Sequence, residues 1–545
     1  MHTGSVTRYG DCTLSPVKPR LRRVAAWLIA TTVLLGIAGP AGAATVAIEI
    51  VPSLDLDSAA TDSAVGLLVP AWGNTVSEAT ALEALLAGRL DHDLLHKQRR
   101  AVIEVPDAGG AEPPGCCDVR ILLALPPPGT HPNDARYPIA ISGAGYQGLL
   151  SSSSTRIPGL VSIADVAPTV LRLRGEEIPD SLTGSVLTGQ PARQAAAELR
   201  ELDDRLDAAR GARLEATAAY AALLIVLSAA ALLTRSPLAG RAALLALPAA
   251  AAASLGLSLV GVTSWPAFAA IAAALTLGCA ALARSRSALG TLFVATLAFY
   301  YAGLLWGGEA LSLSLLGPNP DAGGRFYGLS NELETILAGT AVVGAALLWE
   351  RFGIGALIAV GGLGIVTIAP GRLGASVTGA VVIVVGLSVL AIDLEGRRGL
   401  IVVAVTSAAG AAALLLAAPR HFSDASPDRL LDRLELSGRL AVDSVGAILL
   451  VFALSIPILA VIAVRYPSLR AQLEPSDAAA LLALLAATVV SLLLNDSPGA
   501  VLGHGAGWCL AVTAWGLVGS QARQSGASYR LAPVCVGLPS LRSRR

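Results

Sequence analysis

Two carboxylates stand where a membrane-spanning helix has to begin. They are Glu332 and Glu334, in the segment Gly323–Glu334 with the sequence GGRFYGLSNELE. The next charged residue is Glu350, so only 15 uncharged residues separate it from Glu334. A helix that crosses a hydrocarbon core of about 30 Å needs about 20 residues. The span must therefore begin near Asn331, which places both carboxylates at the membrane boundary or deeper, where ionisable groups usually face a cavity or a partner.

Polar groups from several predicted outer loops accompany these carboxylates. Arginines and carboxylates on one face can hold an anionic, lipid-linked or polyol substrate, because arginine pairs bidentately with phosphate or carboxylate. The predicted substrate-binding residues are Arg325, Tyr327, Asn331, Glu332, Glu334, Arg372 and His421. Arg325 is the predicted partner of the two glutamates, which cannot share one helix face. For the loop 420–443, which contains His421, the alternative is a solvated loop with routine ion pairs.

Two further histidine patterns are present. His504, between glycines at the predicted outer end of the last helix, is either a general base or part of a packed helix end. His92 and His96 have a spacing that can hold zinc, but the segment lacks a third ligand and the glutamate of a metalloprotease helix. The sequence contains no P-loop, dinucleotide fingerprint or serine nucleophile elbow. We therefore predict no metal and no cofactor.

The composition is that of a membrane protein. Of the 545 residues, 54% are hydrophobic and only 14% are charged, which is far from the usage of soluble chains. The formal net charge is zero, so no basic surface for a nucleic acid is expected. The six cysteines show no metal-binding spacing.

Residues 1–44 have the pattern of a secretory signal peptide. Basic residues at 18–23 precede the apolar run Val24–Ala38, and small residues follow at 41–43. The alternative is an uncleaved signal anchor. In both cases the segment that follows is exported.

Residues 45–191 are predicted to form a small exported α/β domain. Strand-like runs, most of them bounded by Gly, Pro or Asp, are Val46–Val51, Ala64–Val69, Ala101–Val105, Val119–Leu125 and Tyr137–Ser142. Capping-box patterns at Thr75–Glu78 and Ser162–Asp165 predict two helices, the first through Leu86 and the second over Val166–Leu173. Strands that alternate with helices favour a sheet with crossover connections.

The remainder is predicted to be mostly transmembrane. Residues 192–214 form a charged connecting helix, residues 215–520 a multipass domain, and residues 521–545 a basic cytoplasmic tail. The uncharged stretches place eleven spans, at 216–234, two within 242–283, 287–308, about 331–349, 352–371, 373–392, 399–419, 444–464, 478–495 and 497–520.

The distribution of arginine predicts the orientation of these spans. If residues 45–214 are outside, the inner loops and tail contain 14 Lys or Arg residues and the outer loops six. Positive residues concentrate on the cytoplasmic side of membrane proteins. The bias therefore agrees with the signal peptide and predicts a protein of the cytoplasmic membrane with its C-terminus inside.

Three runs in the exported domain resemble the C-terminal part of alkaline-phosphatase-like domains. They are Gly143–Ser151, Thr155–Val161 and Asp165–Leu171, within a region of about an eighth of the chain. The resemblance implies a strand and a glycine-rich turn, an Arg-x-Pro-Gly-Leu-Val approach, and a helix opened by Asp-x-Ala-Pro-Thr. The Asp and His settings that hold the two metal ions of such enzymes are missing, so a degenerate, non-catalytic relative is expected. The membrane part resembles bacterial multipass proteins that carry such an exported domain.

The sequence thus predicts a mostly α-helical polytopic membrane protein, with about eleven transmembrane helices after a signal peptide and a small exported α/β domain. The predicted function is to transport or present a lipid-linked or anionic envelope substrate at an outer-facing polar cavity. One alternative is a membrane-embedded glycan polymerase or transferase that uses Glu332, Glu334 or His421 as acid or base. Another is a non-catalytic envelope assembly protein whose exported domain recruits a protein partner.

Reporter fusions test the predicted orientation. A reporter that is active only outside the cytoplasm is expected to be active when fused after Gly189 and inactive when fused after Arg545. A reporter that is active only inside should give the opposite pair of results. Cytoplasmic activity after Gly189 would contradict the topology.

Overall fold

The structure is a computed structural model that describes residues 44–73, 75–90, 101–104, 117–143, 145–306, 308–321, 325–416, 445–495 and 497–530. The N-terminal part of this range folds around a β-sheet. The rest is a bundle of apolar helices.

The segment that is predicted to be exported, called the exported domain below, is built on a mixed sheet. The described part of this domain contains the strands β1 (Val46–Ile50), β2 (Ser63–Val69), β3 (Thr75–Val76), β4 (Val119–Leu123), β5 (His131–Pro132), β6 (Tyr137–Gly143), β7 (Gly148–Ser151), β8 (Leu160–Ser162) and β9 (Thr188–Gln190). Strands β3 and β5 pair with each other in a separate small sheet, and the others form the mixed sheet. The order is β1-β4-β6-β2-β7-β9, with β8 also paired to β2. The pairs β1–β4, β2–β7 and β2–β8 are parallel, and the other pairs are antiparallel. The predicted crossover connections are present in these parallel pairs.

Helices cover both faces of this sheet. The short α1 (Leu56–Ala59) precedes β2, and α2 (Glu78–Ala87) and α3 (Val166–Leu173) pack on one face through residues such as Leu85 and Val170. The opposite face is covered by Leu199, Leu202 and Leu206, which belong to the next helix. Apolar side chains on both faces are therefore removed from water, as a central sheet requires.

The local predictions hold for most of these elements and fail for two. The Ser162–Asp165 capping box is present, and α2 ends at Gly88, which has the left-handed conformation expected there. The first capping box is wrong, because Ser77 and not Thr75 caps α2, with Thr80 as its partner. The predicted strand at Ala101–Val105 is wrong over its described residues 101–104. The backbone amides of Val102 and Ile103 donate to the carbonyl oxygen of Leu86, in the last turn of α2, instead of pairing with a strand.

The bundle consists of twelve further helices in the described part of the chain. They are α4 (Ala195–Thr234), α5 (Pro237–Leu259), α6 (Trp265–Leu282), α7 (Arg286–Trp306), α8 (Gly308–Ser312), α9 (Asn331–Phe352), α10 (Ile354–Ile368), α11 (Val377–Glu395), α12 (Gly399–Leu416), α13 (Val445–Arg470), α14 (Pro475–Leu494) and α15 (Pro498–Arg530). Nine helical stretches among the described residues are long and apolar enough to cross a membrane, and one of them, Val377–Ala413, contains both α11 and α12. Helix α10 is shorter, at 15 residues. The chain is an integral, multipass membrane protein.

Helix α4 belongs to both parts of the molecule. It is 40 residues long, which corresponds to about 60 Å. Its first half packs on the sheet, whereas Tyr220 and Leu224 in its second half lie in the core of the bundle. The charged helix predicted for 192–214 therefore continues without a break into the first apolar span.

Helix α9 is the central helix of the bundle. Within an apolar stretch of 18 residues in this helix, 83% of the residues are buried inside the protein. It contacts α5, α7, α10, α11, α14 and α15. It packs tightly against α15 at Gly339, where a Cβ would lie 2.1 Å from Nε1 of Trp508. Small residues of this kind allow membrane helices to pack closely.

A buried arginine joins the exported sheet to the bundle. The side chain of Arg136 is 3% exposed and forms ion pairs with Asp203 and Asp207 of α4 and with Asp321 of the loop before α9. Asp321 is itself buried, and burial raises the pKa of its carboxyl while the guanidinium of Arg136 opposes that shift. Three carboxylates from two segments thus converge on one guanidinium of the exported domain.

The close contact at Gly339 predicts an unusual response to alanine. In a helix, Gly→Ala normally stabilises by up to about 1 kcal/mol. Gly339→Ala should instead destabilise the protein by about 1–3 kcal/mol, because the new methyl group overlaps the Trp508 ring. Gly362→Ala on α10 is the matched control, since no atom lies within 4 Å of its Cβ position. Thermal unfolding of the full chain in detergent measures both, and equal midpoints for the two variants would contradict the packing.

Removal of the buried arginine should weaken the docking of the exported domain. Arg136→Ala leaves Asp321 buried without its nearest cation, which costs about 3–5 kcal/mol. Arg200→Ala removes an exposed pair with Asp57 and should cost at most about 1 kcal/mol. Chemical unfolding of the full chain measures both free energies. Similar losses for the two variants would show that the Arg136 pairs do not hold the domain.

Candidate functional site

Helix α9 begins at a hydroxyl cap, at the end that is predicted to face outside and is called its outer end below. Ser330 Oγ accepts a hydrogen bond from the amide of Leu333 at 3.1 Å and donates to the carbonyl oxygen of Leu316 at 2.6 Å. The first turn carries Glu332 and Glu334, at the helix end where negative charge is favoured. Because the two glutamates are two positions apart, they leave the helix on different faces.

Glu334 is enclosed by protein. Its side chain is 1% exposed, and its Oε2 accepts a hydrogen bond from Ser376 Oγ. Ser376 also caps α11, where its Oγ accepts from the amide of Gly379 at 2.9 Å. A Cβ on Gly379 would lie 2.7 Å from Cγ of Glu334. The glycine at this position therefore makes room for the carboxylate between α9 and α11.

Glu332 is half-buried and interacts electrostatically with Arg213 of α4, which also interacts electrostatically with Asp321. The guanidinium of Arg213 donates to the carbonyl oxygens of Gly317 at 2.7 Å and Pro318 at 2.8 Å. Arg213 therefore joins α4 to the loop between α8 and α9.

A tyrosine–histidine pair lies at the same end of the bundle as the first turn of α9. Nδ1 of His504 is 2.6 Å from the carbonyl oxygen of Ala500, and because a carbonyl only accepts, this nitrogen carries the hydrogen. In the neutral ring Nε2 is then an acceptor, and it receives the hydroxyl of Tyr220. Both side chains are buried, and Tyr220 interacts electrostatically with Glu332. His504 is thus part of a packed helix end, as one of the two interpretations of the sequence states.

Two other predicted residues make contacts at the same end of the bundle. The side-chain amide nitrogen (Nδ2) of Asn331 donates to Ser497 Oγ at 2.7 Å, which connects α9 to the segment before α15. Arg325, the predicted partner of the glutamates, donates to the carbonyl oxygen of Leu329.

Tyr327 and Arg372 contact the exported domain. The guanidinium carbon of Arg156 lies 3.6 Å from the centre of the Tyr327 ring. Arg156 also donates to the carbonyl oxygens of Gly371 at 2.9 Å and Arg372 at 3.1 Å. The side chain of Arg372 is exposed. His421, the last predicted site residue, lies outside the described residues.

The loop that carries Arg156 is held by a buried carboxylate. Arg156 has a φ of 58°, a left-handed conformation that costs a non-glycine residue about 1–2 kcal/mol. Asp165 is fully buried and accepts hydrogen bonds from Ser154 Oγ at 2.6 Å and from the amides of Ser162 at 3.0 Å and Ser185 at 2.8 Å. The run that resembles the alkaline-phosphatase-like domains therefore presents an arginine to the membrane part.

The structure thus places five of the seven predicted site residues in two groups. Asn331, Glu332 and Glu334 lie at the outer end of α9, and we call them, together with Arg213, Tyr220, Ser376 and His504, the outer polar cluster. Tyr327 and Arg372 lie at the contact with Arg156. No group of three His, Cys, Asp or Glu side chains that could hold a metal ion occurs within the described ranges. His92 and His96 are outside those ranges.

Sequence reasoning missed Arg213 and Tyr220. Arg213 comes just before the first uncharged stretch, and Tyr220 is the only aromatic side chain inside it, so both give a weak signal at the boundary of a span. Their proximity to Glu332 depends on the packing of α4 against helices that are distant in sequence.

Comparison with known proteins adds no assignment to this geometry. No protein-family model, no curated protein and no solved structure matches the chain. The resemblance of the exported domain to alkaline-phosphatase-like domains therefore stays a prediction.

Proposed function

We propose that this integral membrane protein binds an envelope substrate at the outer polar cluster, in order to transport it or to present it at the membrane surface. The observation that carries the proposal is the composition of this cluster. Three helices, α4, α9 and α15, and the N-cap of α11 each place a charged or hydrogen-bonding side chain at one end of α9. Groups of this kind at a membrane boundary are costly and usually mark a substrate or ion pathway.

The proposed substrate has hydroxyl or anionic groups, and a lipid-linked envelope molecule has both. Glu332 can accept hydrogen bonds from hydroxyl groups, since it is half-buried rather than enclosed. The exposed guanidinium of Arg372 can pair with a phosphate or carboxylate. The contact of Arg156 with Tyr327 places the exported domain over this end of the bundle.

The orientation that this function requires is the one predicted from the signal peptide and the arginine bias. The outer polar cluster then faces the outside of the cytoplasmic membrane. The chain crosses the membrane eleven times if α11 and α12 each span it and α10 crosses with its flanking residues. With an odd number of spans after an exported domain, the C-terminus is cytoplasmic.

A second candidate function is envelope assembly, in which the exported domain recruits a protein partner. The observation that favours it is the docking of this domain, which the Arg136 ion pairs and the Arg156 contacts hold against the bundle. A fixed domain can present one surface to a partner in a defined orientation. The glycan polymerase or transferase remains the third alternative, with Glu332 as its acid or base.

Substitution of the two glutamates tests the substrate site. Glu332→Gln should abolish function with nearly normal abundance in the membrane, because it removes the charge that faces Arg213 but keeps the size of the side chain. Glu334→Gln should act through stability and lower abundance, because Glu334 is enclosed and bonded to Ser376. Glu309→Gln is the control, because Glu309 is exposed and its ion pair with Arg205, at 3.5 Å, lies on the surface and contributes little to stability.

The measurement is complementation of a deletion strain, with immunoblots of the membrane fraction for each variant. Full complementation by Glu332→Gln would contradict the proposed site. Loss of function in Glu309→Gln to the same extent as in Glu332→Gln would show that the assay does not report on the cluster.

A further inference from the structure

A cavity lies at the inner end of the bundle, the end at which α9 stops and which is predicted to face the cytoplasm. It is enclosed by the last residues of α9, α11 and α13 and the first residues of α14. Its volume is about 220 Å³, below the roughly 300 Å³ at which pockets for drug-sized ligands begin. The cavity therefore has room for a small polar group. Residues from all four helices line it, among them Trp349, Asp393, Leu394, Arg470, Pro475 and Ala478.

Hydrogen bonds between these helices fix the walls of the cavity. Nε1 of Trp349 donates to Oε1 of Glu395 at 2.6 Å, which joins the end of α9 to the end of α11. The hydroxyl of Tyr466 on α13 donates to the carbonyl oxygen of Ala478 on α14 at 3.2 Å. Each of the four helices is thus bonded to a neighbour at this level of the bundle.

Arg470 presents part of its guanidinium group to a ligand. Its Nη1 donates to Oδ1 of Asp393 at 2.8 Å and to the hydroxyl oxygen of Tyr466 at 3.2 Å. Within the described part of the chain, no acceptor is bonded to Nε or Nη2, and the side chain is 49% exposed. The donors of a guanidinium form a planar fork, and one edge of it can pair with both oxygens of a phosphate. Asp393 therefore holds the group in place and leaves the Nε–Nη2 edge available to an anion.

The exposed charges around the cavity are mostly positive. Five arginines lie within five positions of a lining residue in the sequence, and all of them are exposed: Arg351, Arg397, Arg398, Arg465 and Arg470. Five carboxylates lie in the same segments, and four of them are half-buried or buried: Asp393, Glu395, Glu474 and Asp477. The fifth, Glu350, is exposed but pairs with Arg286 at 3.1 Å. The surface around the cavity is therefore complementary to a negative ligand.

Apolar side chains that face the bilayer lie beside the cavity. Ile392, which precedes Asp393, is exposed, and so are Val461 and Val464 on α13. Within an apolar stretch of 18 residues in α13, only 11% of the residues are buried inside the protein. Exposed side chains of this kind contact the acyl chains of lipids, which are as apolar as leucine. A lipid whose chains lie along α13 would therefore have its phosphate near Arg470, where this helix ends.

We propose that the cavity binds the headgroup of an anionic phospholipid from the leaflet at the inner end of the bundle. The phosphate pairs with the Nε–Nη2 edge of Arg470, the remainder of the headgroup occupies the cavity beside Trp349, and the acyl chains lie along α13. Basic pockets between transmembrane helices bind lipid headgroups, and tryptophan is enriched at the level of the headgroups. This site is separate from the outer polar cluster, which lies at the opposite end of α9, and it does not depend on the proposed function.

The test is native mass spectrometry of the full chain in detergent, titrated with phosphatidylglycerol, which is anionic, or with phosphatidylcholine, which has no net charge. Phosphatidylglycerol should bind the wild type about fivefold more tightly, which corresponds to the contribution of one basic residue near an anionic lipid. Arg470→Gln should weaken the binding of phosphatidylglycerol about tenfold or more, because the charge-assisted hydrogen bonds to the phosphate are lost.

Arg284→Gln is the matched control. It removes the same charge from an exposed arginine that follows α6, a helix that packs against α4 and α5. Its affinity should change less than about twofold, because the effect of a distant exposed charge is screened by salt. Arg470→Lys keeps the charge but lacks a bidentate edge, so its affinity should lie between those of the wild type and Arg470→Gln.

A variant without a change of charge tests the cavity itself. Ala478 is buried and lines the cavity, so the larger side chain of Ala478→Leu should fill part of the space and weaken the binding of phosphatidylglycerol. The thermal midpoint of each variant without added lipid shows whether it is folded. If Ala478→Leu does not fold, the comparison of Arg470→Gln with Arg284→Gln decides.

Equal affinities for the two lipids, or equal losses in Arg470→Gln and Arg284→Gln, would overturn the site. Full affinity in Arg470→Lys would contradict the bidentate pairing. Inorganic phosphate in excess should not displace phosphatidylglycerol, because it lacks the acyl chains that contact α13. Complete displacement would assign the cavity to a soluble phosphate and would overturn the lipid as its occupant.

Discussion

The short apolar length of α9 is the constraint on which the outer half of the molecule depends. With 15 uncharged residues between Glu334 and Glu350, the helix cannot cross a hydrocarbon core of about 30 Å without its carboxylates at the boundary. A carboxylate at that depth needs partners, and they come from other elements of the bundle. Ser376, which caps α11, donates a hydrogen bond to Glu334, and Arg213 of α4 interacts electrostatically with Glu332. The position of α9 at the centre of the bundle makes these partners available.

The same helix that supplies Arg213 also joins the two parts of the protein. Helix α4 packs on the exported sheet with one half and enters the bundle with the other. The domain therefore cannot turn freely about a flexible linker. Two arginines of this domain add further contacts. Arg136 forms an ion pair with Asp321, and Arg156 donates to the backbone carbonyl oxygen of Arg372. The N-terminal domain is therefore held in place beside the segments that flank α9.

Electrostatic interactions connect the exported domain to the outer polar cluster. Asp321 pairs with Arg136 of the exported domain and interacts electrostatically with Arg213 of α4, which also interacts electrostatically with Glu332. A change of charge at Glu332 is therefore felt by the ions that hold the domain. This arrangement gives a physical route by which occupation of the cluster and docking of the domain influence each other, whether the protein transports a substrate or presents it.

The sequence alone determined the membrane class, the apolar segments and the location of the two glutamates, because span length and hydrophobicity are properties of consecutive residues. It also predicted four of the strands and the Ser162–Asp165 cap, whose signals are local. It missed the cap at Ser77, since Thr75 and Glu78 fit the capping-box pattern and Thr80 is not the Glu or Gln that this pattern requires. The pairing of β3 with β5 keeps Thr75 in a strand instead. The partners of the glutamates were not predictable in this way. Arg213, Tyr220 and His504 are separated from Glu332 by more than a hundred residues, and only the packing of α4 and α9 against α15 brings these side chains to one end of the bundle.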